Sequence, residues 1–132
     1  SYVSLTEISE YAAGVPDDMR NARLYPKLPP ENKNAWCFYP MSNRRNIDQN
    51  WFTLDFENRK NLMYEHGASG RKFSGRVLQV ITGSTGIDDF EWGVTLFCEK
   101  PDEVIFHGGG TKNKFLRWSR ELMLVGIGKK II

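Results

Sequence analysis

The apolar patterning of this chain predicts an α+β domain, an antiparallel sheet with helices on one face. Three observations carry that expectation. Ala35-Trp36-Cys37-Phe38-Tyr39 has the composition of a buried strand. Residues 76–97 hold two apolar segments around Gly83-Ser84-Thr85-Gly86 and so read as an antiparallel hairpin. Between them Leu62, Met63 and His66 stand at i, i+1 and i+4, on one face of a helix. The full order (strand, helix, strand, strand, weak helix, strand) is the ferredoxin-like pattern.

The totals narrow the function classes. With 132 residues there is room for one compact domain. Hydrophobic residues make up 40% and charged residues 26%, ordinary for a soluble globular protein. Apolar runs fall far short of a membrane span, and no signal-peptide pattern opens the chain. A net charge of +2 is too weak to argue for nucleic acid. The two cysteines, Cys37 and Cys98, lack metal-ligand spacing and fit buried thiols of a reduced cytoplasm. Aromatic residues reach 13%, which favours a large apolar cavity or a sizeable interface without choosing between them.

Taken in order, Tyr2 to Ile8 alternates and reads as a strand, and its abruptness suggests that the chain begins inside a longer one. Residues 1–34 are thus a leading strand and a long connection, and residues 35–132 are the ferredoxin-like domain. Glu10 to Asn34 is polar, bears Pro16, Pro26, Pro29 and Pro30, and is expected to hold little regular structure. It carries Arg23 and Lys27 around Tyr25. Pro40 is expected to stop the strand from Ala35. Thr53 is a candidate cap for a helix from about Leu54 to Glu65, with Gly67 closing it. Arg76 to Thr82 is the next strand, in which Gln79 sits among apolar neighbours, and Glu91 to Phe97 is its partner. Gly83 and Gly86 are no dinucleotide fingerprint, since no helix follows them. Asp102 to Phe106 reads as a short helical turn, Gly108 to Gly110 as a breaker, Lys114 to Glu121 as helix-like, and Leu122 to Ile127 as a last strand.

His66 is the most informative side chain. A neutral imidazole at the last turn of that helix, on the floor of an apolar cavity, suits an iron porphyrin. The plain alternative is a core histidine bonded to a carbonyl. Tyr39 alone reads as a core aromatic, Gln79 as an edge residue or one bonded to backbone, and Arg23 as a solvated cation.

The blocks at 23–29 (RLYPKLP), 38–41 (FYPM), 50–52 (NWF), 62–71 (LMYEHGASGR) and 88–97 (DDFEWGVTLF) tip that balance, because in this order they resemble the chlorite dismutase-like family. The nearest branch is the coproheme decarboxylases, and the resemblance runs unbroken from about Tyr2 to Phe97. It implies the haem-binding second half of a two-part subunit. It also implies peroxide-dependent oxidative decarboxylation of iron coproporphyrin III to haem b. Under it His66 is the proximal iron ligand, with its other nitrogen held by a neighbour. Tyr39 is the redox-active phenol, whose radical takes hydrogen from a propionate. Met41 packs at the porphyrin edge, Gln79 lies on the distal side, and Trp51 lines the proximal pocket. Arg23 and Tyr25 bind propionates. Hydrogen peroxide is the implied co-substrate, a homo-oligomer (commonly a pentamer) the implied assembly, and the cytoplasm the implied location.

Three departures from the family patterns matter. Asn43 replaces the decarboxylases' usual lysine, with Arg44 or Arg45 as candidate substitutes. Gln79 stands where chlorite-degrading members carry arginine, which argues against chlorite chemistry. After Glu99 the sequence diverges, with Lys112 to Phe115 a poor match to the family's propionate-binding segment. Two alternatives follow: a haem or porphyrin carrier without the activity, and a cofactor-free interaction domain.

Overall fold

The computed structural model describes residues 1–12 and 14–103, and the backbone of two further strands at 116–118 and 124–127. Its centre is β2 (Ala35–Asn43), which pairs antiparallel with β6 (Trp92–Cys98), itself paired with β5 (Val77–Gly83). β1 (Leu5–Thr6) adds to the outer side of β5. The far side of β2 is shared by β7 (Leu116–Trp118) and β8 (Leu124–Ile127). The sheet therefore runs β1-β5-β6-β2-β7, with β8 also on β2. A small hairpin of β3 (Arg45–Asn46) and β4 (Gln49–Asn50) follows β2. Two helices, α1 (Asp17–Leu24) and α2 (Phe56–Arg71), complete the described fold.

The expected hairpin is present, shifted by one residue at each strand. Several other expectations need correction. The leading strand is two residues, not seven. The connection after it is not irregular: a 3-10 turn at Glu10–Ala12 precedes α1. Pro16 and the Asp17-Asp18 pair start α1, because proline suits a helix entrance and acidic groups suit its positive end. Pro40 does not stop β2. On the far side β8 pairs with residues 35–38 and β7 with 41–43. Pro40 falls between them, where a missing N–H leaves no ladder bond unmade. Leu116–Trp118 is strand, not helix, because β2 offers it an edge. Residues 101–103 are helical, while the rest of that expected turn and the triple glycine lie outside the described residues.

α2 also differs from expectation. Its cap is Asp55, not Thr53: Asn58 donates its backbone N–H to the Asp55 carboxylate at 2.8 Å and its side-chain amide at 2.9 Å. The helix continues through Gly67 and Gly70 to Arg71, and the left-handed glycine is Gly75 (φ 80°) in the turn before β5. His66 therefore lies well inside the helix.

Residues directly opposite across paired strands point to the same face. The register puts Val77 beside Cys98 and Ala35, Gln79 beside Leu96 and Cys37, and Ile81 beside Val94 and Tyr39. This face holds the core: Ala35, Cys37, Tyr39, Val94, Leu96 and Cys98 are all buried, with Met41 and Val77 packed against them. Neither cysteine forms a disulfide, and Cys98 Sγ donates to the Ala35 carbonyl at 3.6 Å. On the other face Phe38 meets Tyr2 edge to face at 5.2 Å. Gly93 lies beneath that contact. A Cβ there would come within 2.9 Å of the Tyr2 ring and 3.0 Å of the Phe38 ring, so only glycine lets them close.

Candidate functional site

Beside the core face, residues of α1, α2 and β5 border a half-open cavity of about 330 Å³, within the range of small-molecule sites. Its lining includes Arg23 from α1, His66 and Arg71 from α2, Phe73 and Ser74 from the following turn, and Gln79 from β5. The helix thus brings an imidazole, and the strand an amide, to one space. Both helices contribute from the side of the sheet that carries Val77 and Gln79, which agrees with helices on one face.

The imidazole is largely desolvated. Burial alone pushes the His66 pKa below its ordinary value, which keeps the ring neutral at neutral pH with a nitrogen lone pair to offer. Nδ1 is buried and, among the described residues, has no hydrogen-bond partner, so the expected neighbour on that nitrogen is not found there. The protein partner that an inert core histidine would be expected to have on this buried nitrogen is therefore absent among the described residues. Gln79 sits in the apolar row Gln79–Leu96–Cys37, an amide on a core face at the point where that face opens into the cavity.

The remaining sequence candidates do not line this cavity among the described residues. Tyr39 is buried on the same face, two strands over from Gln79 and one row further along, about 10 Å away by strand spacing alone. Burial, with Cys37 adding to it, raises its pKa far above the ordinary phenol value, so it stays protonated. Met41 packs against the core beside it. Trp51 is buried in a 3-10 turn ahead of α2, with Tyr11 edge-on at 6.3 Å. Tyr25 is 78% exposed.

Asn43 is buried, and its backbone N–H donates to Glu91 Oε2 at 2.7 Å. The other oxygen of that carboxylate accepts from Arg45 Nη2 at 2.6 Å, and the same guanidinium lies 4.6 Å over the Phe52 ring. Arg44 donates to Gln49. Both arginines proposed as substitutes for the missing lysine are therefore engaged locally, outside the cavity.

Sequence reasoning missed Arg71. Its signal was the helix end: once α2 extends past Gly67, Arg71 follows His66 by five positions and reaches the same cavity. Its guanidinium also lies 5.4 Å from the Tyr64 ring. The cavity thus presents two arginines, a neutral imidazole and an amide, donors suited to a carboxylate-bearing ligand with a soft electrophilic centre.

Residues 1–106 match the family model described as chlorite dismutase. The chain belongs to the chlorite dismutase family. Within that family it is similar to a coproheme decarboxylase of Staphylococcus carnosus (strain TM300), with 51% identity over 107 residues, 76% of this chain and 42% of that protein. Among solved structures it is similar to a novel heme-binding protein from Thermus thermophilus. That match has TM-score 0.86 and 32% identity and covers 96% of this chain and 52% of that one. A chlorite dismutase variant from Candidatus Nitrospira defluvii aligns with TM-score 0.71 at 21% identity, covering 93% of this chain and 51% of that one, and shares the fold. The chain spans about half the length of the family members it matches. No helix among the described residues is long and apolar enough to cross a membrane.

Proposed function

We propose that this chain is the haem-contacting half of a coproheme decarboxylase, acting in peroxide-dependent conversion of iron coproporphyrin III to haem b. The observation that carries this reading is the meeting of His66, Gln79 and Arg23 in one cavity. The name of the Staphylococcus carnosus relative supports it. The donor set fits such a ligand: the iron takes a neutral imidazole, and the porphyrin's carboxylates take arginine forks. Iron coproporphyrin is at once the substrate and, with hydrogen peroxide as co-substrate, the source of the oxidising chemistry.

The roles of the chain's own residues follow from their chemistry. His66 would hold the iron through a lone pair that its desolvated setting keeps unprotonated. Gln79, on the distal side that the family resemblance implies, would offer its amide as a hydrogen-bond donor. Arg23 and Arg71, which line the cavity, would orient propionates; the family resemblance adds Tyr25 and Asn43 as further polar contacts, although neither lines the described cavity. Tyr39, protonated and shielded from water, would give up an electron and a proton together, with hydrogen peroxide as the ultimate oxidant. Met41 and Trp51, at the porphyrin edge and proximal pocket by the family resemblance, pack outside the described lining, on the core and against Tyr11. A homo-oligomer, pentameric as the family resemblance implies, and a cytoplasmic location complete the reading.

A second reading, a porphyrin-binding module without the activity, draws on Tyr39 lying outside the cavity and on Asn43 in place of a cation. One experiment separates the two. Ferric coproporphyrin III and haem b are titrated separately while the Soret band is followed, and peroxide is then added to the coproporphyrin complex. Loss of two carboxyl groups by mass supports the enzyme, binding without loss supports the module, and an unchanged spectrum overturns both. Tyr39→Phe is expected to abolish product while sparing binding; undiminished product would remove Tyr39 from its role.

A further inference from the structure

The two glycines inside α2 have no conformational reason to be there. Gly67 and Gly70 both line the cavity, and neither has the positive φ that calls for glycine, unlike Gly75 at +80°. Glycine is the weakest helix former after proline, so each weakens α2 relative to alanine. Nor does packing within the described residues require them. A Cβ on Gly70 would meet nothing within 4 Å. One on Gly67 would meet only Arg71 Nη1, at an ordinary 3.7 Å. The contrast is Gly93, where two aromatic rings would clash with a Cβ.

Gly70 follows His66 by four residues and Gly67 by three, so it neighbours both on the helix surface, and all three line the cavity. The bare backbone therefore adjoins the imidazole whose Nδ1 lacks a described partner. We infer that Gly67 and Gly70 are clearance positions, stripping α2 of side chains where a flat, ring-shaped ligand approaches its backbone, and so setting which ligands the cavity admits. This rests on the reading that a porphyrin occupies the cavity.

The test has opposite signs in its two readouts. Gly67→Ala and Gly70→Ala, made singly in the full chain, are expected to raise the melting temperature of the ligand-free protein by roughly 2–6 °C. The same substitutions are expected to weaken ferric coproporphyrin III binding at least tenfold by Soret titration. Metal-free coproporphyrin III, followed by fluorescence, should be weakened alike, because clearance does not depend on the iron bond. Asn61→Ala, on the exposed side of the same helix, should raise the melting temperature and leave both affinities unchanged.

A higher melting temperature with undiminished binding would overturn the inference, as would a lower one, which would assign the glycines to packing. Wild-type chain that binds neither porphyrin would remove this inference together with the functional reading. Wild-type binding with indifferent glycine variants would remove this inference alone.

Discussion

The middle of the sheet and the helix beside it are held by different means. In β2 and β6, Ala35, Cys37, Val94, Leu96 and Cys98 are at most 1% exposed, and each strand is paired on both sides over much of its length. α2 runs for 16 residues without one buried side chain. Its Arg59 Nε and His66 Nδ1 are buried atoms without a described partner. The sheet is stabilised by its own packing. The helix rests on its cap and on half-exposed contacts such as Phe56 stacked on Tyr11 at 5.5 Å, since an isolated helix of this length is marginal in water. The difference puts the tightest packing in the sheet and leaves the cavity-lining helix the looser of the two.

The largest expected effect is at the sheet. Leu96→Ala should cost about 2–5 kcal/mol in urea unfolding, because a fully buried leucine leaves a cavity among rigid neighbours. A loss below that of a cap would mean the sheet is not the stable half. Next comes Asp55→Ala, which removes the acceptor of the Asn58 N–H and should cost about 1 kcal/mol, with a fall in helical circular dichroism. An unchanged dichroism signal would show that α2 does not lean on its cap.

The smallest effect is with pH. His66 has a lowered pKa in the folded chain, so the unfolded chain takes up its proton first as pH falls below about 6.5. The histidine therefore leaves stability untouched above that value and erodes it across the window from 6.5 down to the folded pKa. Urea midpoints at about pH 7.5 and about pH 5.5, either side of the ordinary histidine value, should differ more in wild type than in His66→Ala. Equal differences would mean that the imidazole is not desolvated on folding.

Much of this was legible in the residues. The hairpin of β5 and β6 follows from two apolar runs around a glycine turn, whereas the expectation that His66 and Gln79 share one site rests on the family resemblance and not on the patterning. Local rules failed where tertiary context overrode them. Glycine ordinarily ends a helix, yet α2 crosses two of them, which hid Arg71. Proline ordinarily ends a strand, yet Pro40 falls in a gap between two partners. α1 was signalled by Pro16 followed by two aspartates, but the surrounding prolines obscured it. Composition marked Ala35 to Tyr39 as a buried strand. It did not reveal that β6 intervenes between Tyr39 and Gln79, because strand order is not written in composition.

β1 covers β5 only at Thr82 and Gly83. From Val77 to Ile81, among the described residues, no strand pairs with the outer side of β5, and these five positions (Val-Leu-Gln-Val-Ile) carry no charge. Leu78 and Ile81 are 38% and 40% exposed. An uncharged, apolar border of this kind is a template for strand addition. In concentrated solution, self-association of the chain would begin there, and a lysine at position 78 would be the simplest way to improve its solubility.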